Sequence, residues 1–499
     1  MSSRRYLKGG LLLSGGSVLS AACSFARNII IARLISVEDF GIAATFAMTM
    51  SLIEMASNLA LDRLLVQAPD GDAPRMLAVA HAFQVVRGVL SAIALFLLAG
   101  PVAALFDIPE VVWAFQIIAL VPLVRSFMHL DAACQQREMR FGASVWLDTV
   151  PQVLTTLAAA PLALWLGDYR VMLFVVIGQV AMMTLVSHWV AERPYRWAWD
   201  RAIIGRMLRF GWPLLINGLL MFAIFQGDKA IVGAAFSMEE LGWFSAAFGL
   251  TLMPSMLIPK VMGTLFLPGL SKSIRNRDGS RLSSTVIDLF AGAAVMFAVS
   301  FWAFGPTALV VLYGNRYAAG AAVIGWLGMM QAARILKAGS VTVLVSAGRT
   351  KAVMAANSVR LIGLPVALLV VWFGGSIVAI VIVGFLAEFC SAVISLALVR
   401  ATISDPIAWM RRIVMCVLLV GLAIVLYNAL ISGLSADPLS LFGGSIGLIV
   451  CLMTVACVAL ALPSTRFILR TLLQSAGQGR KSKVSHSNAD TTAQVRNHA

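Results

Sequence analysis

The sequence predicts an all-α, polytopic membrane protein of about fourteen transmembrane helices, and three observations carry that expectation. Of its 499 residues, 60% are hydrophobic and only 12% are charged, with a mean hydropathy of +0.90. Soluble domains average about 45–50% apolar and about 25% charged. Apolar runs of about 20 residues, the length that crosses a bilayer, recur from one end of the chain to the other. The loops between these runs alternate between rich and poor in arginine and lysine, as the positive-inside rule requires.

Span 1, residues 10–35, follows Arg4, Arg5 and Lys8. It exceeds the apolar core of about 7–15 residues in a signal peptide and resembles a later segment, so it reads as a retained helix. Span 2 (41–62) follows an acidic turn and ends at Arg63. Spans 3 (76–100) and 4 (109–130) lead to Arg137 and Arg140, and spans 5 (145–166) and 6 (171–191) lead to a basic stretch from Arg193 to Arg209. Spans 7 (210–234) and 8 (241–267) precede Lys272, Arg275, Arg277 and Arg281. Spans 9 (286–311) and 10 (321–345) precede Arg349 and Lys351, and spans 11 (352–373) and 12 (376–399) precede Arg400, Arg411 and Arg412. Spans 13 (413–432) and 14 (441–462) close the series before a basic, polar tail. The alternate loops carry only Arg170 and Arg316. An even number of spans with both termini in the cytoplasm follows. The net charge of +15 is then explained by topology and anionic-lipid contacts, without nucleic acid.

The first two spans recur. Arg27–Thr45 (RNIIIARLISVEDFGIAAT) aligns at an offset of 201 with Asp228–Ala246 (DKAIVGAAFSMEELGWFSA), matching Ile30 with Ile231, Ser36 with Ser237, Glu38 with Glu239 and Gly41 with Gly242. A spacing of six spans makes these parallel repeats, an architecture that places a transporter's site between lobes near mid-membrane. The expected domains are an N-terminal lobe (1–191), an interfacial linker helix (192–209), a C-terminal lobe (210–400), two appended spans (401–462) and a disordered cytoplasmic tail (463–499). The linker helix is expected because its tryptophans and aliphatic residues share a face with arginines around it.

Charges inside spans point to a wet or protein-lined interior, since each costs about 2.5–3.5 kcal/mol at a helix centre. Arg27, Arg87, Lys260, Arg334 and Lys337 lie deep and are expected to line a cationic cavity. Arginine's planar fork suits an anion such as a phosphate or diphosphate. Arg33, Arg125 and Arg360 lie nearer helix ends and are expected to snorkel. Glu54, Asn58 and Asp62 form a polar stripe at helical spacing, as do Gln331, Arg334 and Lys337. Glu54, Asp228 and Glu388 are candidates for ion coupling or gating. Arg27 and Asp228 occupy equivalent repeat positions with opposite charge, which suggests either an ion pair between lobes or separate partners within each lobe. The six cysteines and five histidines show no metal-ligand or disulfide spacing, so no cofactor is expected.

SFARNIIIARLISVEDFGIAATFAM, in spans 1–2, resembles the opening of bacterial polysaccharide flippases of the Wzx type. FGWPLLINGLLMFAIFQGDKAIVGAAFSMEELGWFSAAFGL, in spans 7–8, followed by LFLPGLSK, resembles their second-half signature. These flippases belong to the multidrug/oligosaccharidyl-lipid/polysaccharide exporter superfamily. The resemblance implies two lobes around a cationic cavity, alternating access, and no bond-breaking enzymatic activity. The implied substrate is an undecaprenyl-diphosphate-linked oligosaccharide repeat unit moved across the bacterial inner membrane. Membrane lipids, a coupling cation or proton, and the polymerase and export machinery are the other implied partners. Arg27 matches a span-1 arginine that lines the cavity in this superfamily, and Asp228 an aspartate late in span 7. Asn28 stands where the lipid II flippase branch has an aspartate, which counts against that branch. A multidrug exporter of the same superfamily and a polytopic polymerase or ligase are the alternatives; short outer loops such as GDYR and GGS argue against the enzyme.

Overall fold

The computed structural model describes residues 3–276, 279–400, 406–433 and 441–462. The expected tail over 463–499 lies outside them. Among the described residues all regular structure is helical. In chain order the helices are α1 (Ser3–Leu34), α2 (Val37–Ser57), α3 (Leu61–Gln67), α4 (Pro74–Leu105), α5 (Val112–Ile118), α6 (Leu120–Ser126), α7 (Asp131–Arg137), α8 (Gly142–Leu166) and α9 (Arg170–Trp189). They continue with α10 (Arg201–Ala235), α11 (Met238–Arg275), α12 (Gly279–Tyr313), α13 (Ala321–Ser346), α14 (Thr350–Trp372), α15 (Ile377–Val399), α16 (Pro406–Gly433) and α17 (Leu441–Ala461). Among the described residues thirteen segments are long and apolar enough to cross a membrane, and a shorter apolar stretch, Gly444–Val458, lies within α17.

Span 4 is not one straight helix. It divides into a short 3-10 turn, α5 and α6, with the break at Ala119. Pro122 has no N–H to donate to the carbonyl of Ile118, so the break has a local cause. The stretch expected as a linker helix also differs. Residues 191–200 form no helix, and α10 starts only at Arg201 and continues straight into span 7. Pro194 has no N–H to give to a helical hydrogen bond and disfavours helix there, and Asp200 is an N-cap. Its carboxylate accepts from the Ala202 N–H at 3.0 Å and from Arg75 Nε at 3.0 Å. The Ile203 N–H and then Arg75 hold the Asp200 carboxyl below the usual carboxylate range. The non-helical stretch is anchored instead by Tyr195, whose ring lies 4.3 Å from that of His81, and by Arg193, which reaches buried Asp131 at 2.7 Å.

The chain packs as two units. The first comprises Met1–Met253, Ala308–Ile324 and Arg360–Ala387; the second comprises Pro254–Thr307, Gly325–Val359 and Glu388–Ala499. The second is built around an apolar core that includes Phe290, Ile335, Leu344, Leu396 and Val399.

Within the first unit the two repeat copies meet. Ser36 caps α2 by accepting from the Asp39 N–H at 3.0 Å, and Ser237 accepts from the Glu240 N–H at 3.2 Å. Both are Ser-x-x-acid caps. A Cβ on Gly41 would lie 1.8 Å from the Met238 carbonyl oxygen, and one on Gly242 would lie 2.0 Å from the Val37 carbonyl oxygen. The contact is reciprocal, as a pseudo-twofold relation between the copies demands. Tyr317 reinforces it by donating to the Ala32 carbonyl at 3.0 Å and by packing edge-on against Phe40.

Gly41→Ala and Gly242→Ala are each expected to destabilise the protein by about 1–3 kcal/mol, because backbone on the facing helix must move. Gly249→Ala, where a Cβ meets nothing within 4 Å, is the control and gains helix propensity. Thermal unfolding in detergent measures all three; equal melting temperatures would contradict the reciprocal contact.

Candidate functional site

A polar cavity of about 180 Å³ opens in the first unit. α2 ends at Ser57, where Asn58 accepts from the Ala60 N–H at 2.8 Å and Ala60 takes a left-handed conformation, φ 47°. That turn interrupts the expected stripe, so Glu54, Asn58 and Asp62 do not run along one helix. All three nevertheless line the same cavity, together with Gln84, Arg87 and Ser91 of α4 and Arg125 of α6. Gln84 Nε2 donates to the carbonyls of Ser126 and Met128, both at 3.0 Å. A Cβ on Gly88 would sit 2.1 Å from that of Ser126. α4 and α6 are therefore held at close range beside the cavity.

Two cations reach this space. Arg125 forms an ion pair with Glu54, the two side chains being 37% and 43% exposed. Arg125 thus turns inward to an acid and does not snorkel as expected. Arg87 lines the same cavity; among the described residues its guanidinium makes no hydrogen bond or ion pair. Glu54 and Asp62 balance the two arginines, so these walls are mixed in charge where the sequence predicts an excess of bases.

The other predicted residues lie elsewhere. Arg27, buried between α1, α8 and α9, donates to Gln152, Thr155 and Gln179 at 2.8–3.0 Å. These acceptors are all neutral. Asp228 does not meet Arg27; it accepts from Arg360 at 2.5 Å, in a pair whose arginine is fully buried. Arg360 is therefore a core residue, against the expectation of snorkelling. Glycines explain the room for it: a Cβ on Gly363 would lie 2.5 Å from that of Ala387 and 3.0 Å from Arg360 Nη1. No feature of the local sequence separates such an arginine from one that reaches the interface.

In the second unit the shared spacing brings Arg334 and Lys337 to one acid, with Gln331 beside Arg334. Glu388 is fully buried and pairs with Arg334 at 3.1 Å and with Lys337. Arg334 also donates to Gln331 at 3.1 Å, and Lys337 to Ser391 at 3.3 Å. Two cations share one carboxylate, and their donors are spread over protein oxygens. Lys260 is exposed on α11.

The sequence profile of a family described as polysaccharide biosynthesis protein matches residues 30–322. The succinoglycan biosynthesis transport protein ExoT of Rhizobium meliloti (strain 1021) is 24% identical over 324 residues. That match covers 63% of this chain and 65% of the relative, just under two thirds of its length. Among solved structures, the lipid II flippase MurJ in an inward closed conformation aligns with a TM-score of 0.70 at 12% identity, covering 90% of this chain and 99% of that one. An inward-facing multidrug resistance MATE family transporter of the MOP superfamily aligns at 0.58 and 14% identity, covering 78% and 95%. At such identities the likeness establishes a shared fold.

The buried Asp228–Arg360 pair yields a stability test. Asp228→Ala removes the carboxylate paired with a buried guanidinium and is expected to cost about 3–5 kcal/mol, whereas the apolar double replacement Asp228→Leu with Arg360→Met recovers most of the loss. Melting temperatures of the single and double variants decide this; a double variant no more stable than the single would contradict the pairing.

Proposed function

The chain belongs to the polysaccharide biosynthesis protein family, and on that premise we propose that it is a flippase for lipid-linked oligosaccharides. Its substrate is an undecaprenyl-diphosphate-linked repeat unit, carried from the cytoplasmic to the periplasmic leaflet of a bacterial inner membrane. Both termini face the cytoplasm. The observation that carries this reading is Arg87, a guanidinium within the candidate span Pro74–Leu105 that faces a polar cavity and makes no ion pair among the described residues. Such a group at bilayer depth needs water or an anion, and a diphosphate supplies oxygens in the geometry that arginine's fork accepts. Arg125 lies across the same cavity, tied to Glu54. A diphosphate held by Arg87 competes with Glu54 for Arg125, so Glu54 is the carboxylate most directly coupled to substrate.

α2 supports an alternating-access reading. It carries the reciprocal contact at Gly41 near one end and cavity-lining Glu54 near the other. In the proposed cycle, substrate enters from the cavity end, and release on the far side requires the Gly41 and Gly242 contact to part. Asp228, held by Arg360, and Glu388, held by two cations, act as structural anchors through this motion and do not carry a coupling ion.

Deletion of the gene in its host tests the proposal. Lipid-linked intermediates are identified by mass spectrometry, and their leaflet is read with a membrane-impermeant lectin. Complete repeat units are expected to accumulate on the cytoplasmic side, relieved by wild type and not by Arg87→Ala. Unpolymerised units in the periplasmic leaflet would instead indicate a polymerase or ligase. Unchanged lipid-linked sugars with altered drug sensitivity would indicate a multidrug exporter.

A further inference from the structure

Beside the polar cavity the first unit carries a second, apolar depression of about 410 Å³. Its walls come from three helices. Phe83, Val86, Leu90 and Ala94 follow one another along a single face of α4; Leu208 and Leu215 stand two turns apart on α10; Ile53, Ala56 and Leu59 close it from α2 and its end. Its rim is open, with Leu90 62% exposed. Close approach of α10 stands beside it. A Cβ on Gly211 would lie 2.7 Å from Leu59, and one on Gly218 would lie 2.6 Å from the Met55 carbonyl oxygen, so α10 is pressed onto α2 along this line.

The groove and the polar cavity adjoin. Ile53, Ser57, Arg87 and Ser91 line both. Arg87 therefore stands at the seam, with apolar wall on one side and polar wall on the other. The depression uses the end of α2, the middle of α4 and the first half of α10. The segments at the near ends of these helices hold Arg63, Arg75, Arg193 and Arg196, so the positive-inside rule places the near end of the groove on the cytoplasmic side.

We propose that this groove seats the polyisoprenyl chain of a lipid diphosphate whose head group occupies the adjoining polar cavity, with Arg87 at the junction of the two. The inference rests on the flippase reading and adds to it where the lipid part is held. One groove ending at one cation suits a single chain that ends directly in a diphosphate. A diacyl phospholipid has two chains and an ester-linked glycerol between chain and phosphate. Arg87 then holds the phosphate next to the chain, and Arg125, freed from Glu54, meets the one beyond it. Entry is lateral, from the leaflet, and the chain never leaves an apolar surface while the head group enters polar space.

Binding of farnesyl diphosphate and of inorganic diphosphate to the purified full-length protein in detergent tests this. Leu90→Trp fills the groove, and Ala94→Trp fills it one turn further along should the first variant fail to fold. Filling is expected to weaken farnesyl diphosphate by about tenfold or more, since several methylene groups lose their contact, while inorganic diphosphate binds as before. Arg87→Ala is expected to weaken both. Farnesyl diphosphate binding that is indifferent to both tryptophan variants would overturn the groove assignment and leave the head-group site standing. Competition by phosphatidylglycerol as effective as by farnesyl diphosphate would also overturn it, showing an ordinary lipid surface. Failure of wild type to bind either diphosphate would sink the flippase reading itself.

Discussion

A guanidinium in hydrocarbon must find an acceptor or water, because leaving it bare costs several kcal/mol. The intramembrane cations of this protein meet that demand in different ways. Arg360 takes Asp228, and Arg334 and Lys337 share Glu388. Arg27 rests on two amides and a hydroxyl. These partners are protein atoms in packed surroundings, and they hold helices together. Arg87 differs: it faces a polar cavity and makes no ion pair among the described residues. The same physical rule that makes the others structural makes Arg87 available to a ligand.

Close helix approach is the second half of that logic. Gly363 and Gly218 each stand where a Cβ would collide with a neighbouring helix, and Gly211 where it would collide with Leu59 just beyond α2. In a bilayer, where apolar burial offers little advantage over lipid, such small residues supply the packing that fixes helix positions. Gly41 and Gly242 do the same where the repeat copies meet. The internal duplication is thus visible in matched caps and in a reciprocal contact, which are stronger signs of common geometry than the few sequence identities.

The helices themselves were largely legible, because a span has to be apolar and of bilayer length. The errors fell where local chemistry outweighed hydropathy. Asp200 caps α10 and Pro194 disfavours helix before it, so an amphipathic-looking stretch is non-helical. Asn58 and the left-handed Ala60 end α2 early, so a stripe with helical spacing is divided between two helices. The residues of the site were legible as types and not as partnerships. The spacing of Gln331, Arg334 and Lys337 pointed to one face, but that face meets Glu388, 54 positions after Arg334. Arg125 and Arg360 depart from the snorkelling expectation because distance from a helix end says nothing about whether a carboxylate or a glycine gap lies opposite.

The proposed cycle has an anionic lipid head group enter at Arg87 and cross the bilayer. It is tested most directly with purified protein in liposomes containing a polyisoprenyl-diphosphate-linked oligosaccharide, with an impermeant lectin reporting the exposed fraction over time. Wild type is expected to move the internal pool outward until nearly all becomes accessible, and Arg87→Ala to leave it near the protein-free rate. Wild-type protein that never exceeds the protein-free rate, while an organic cation is moved in the same liposomes, would contradict the account.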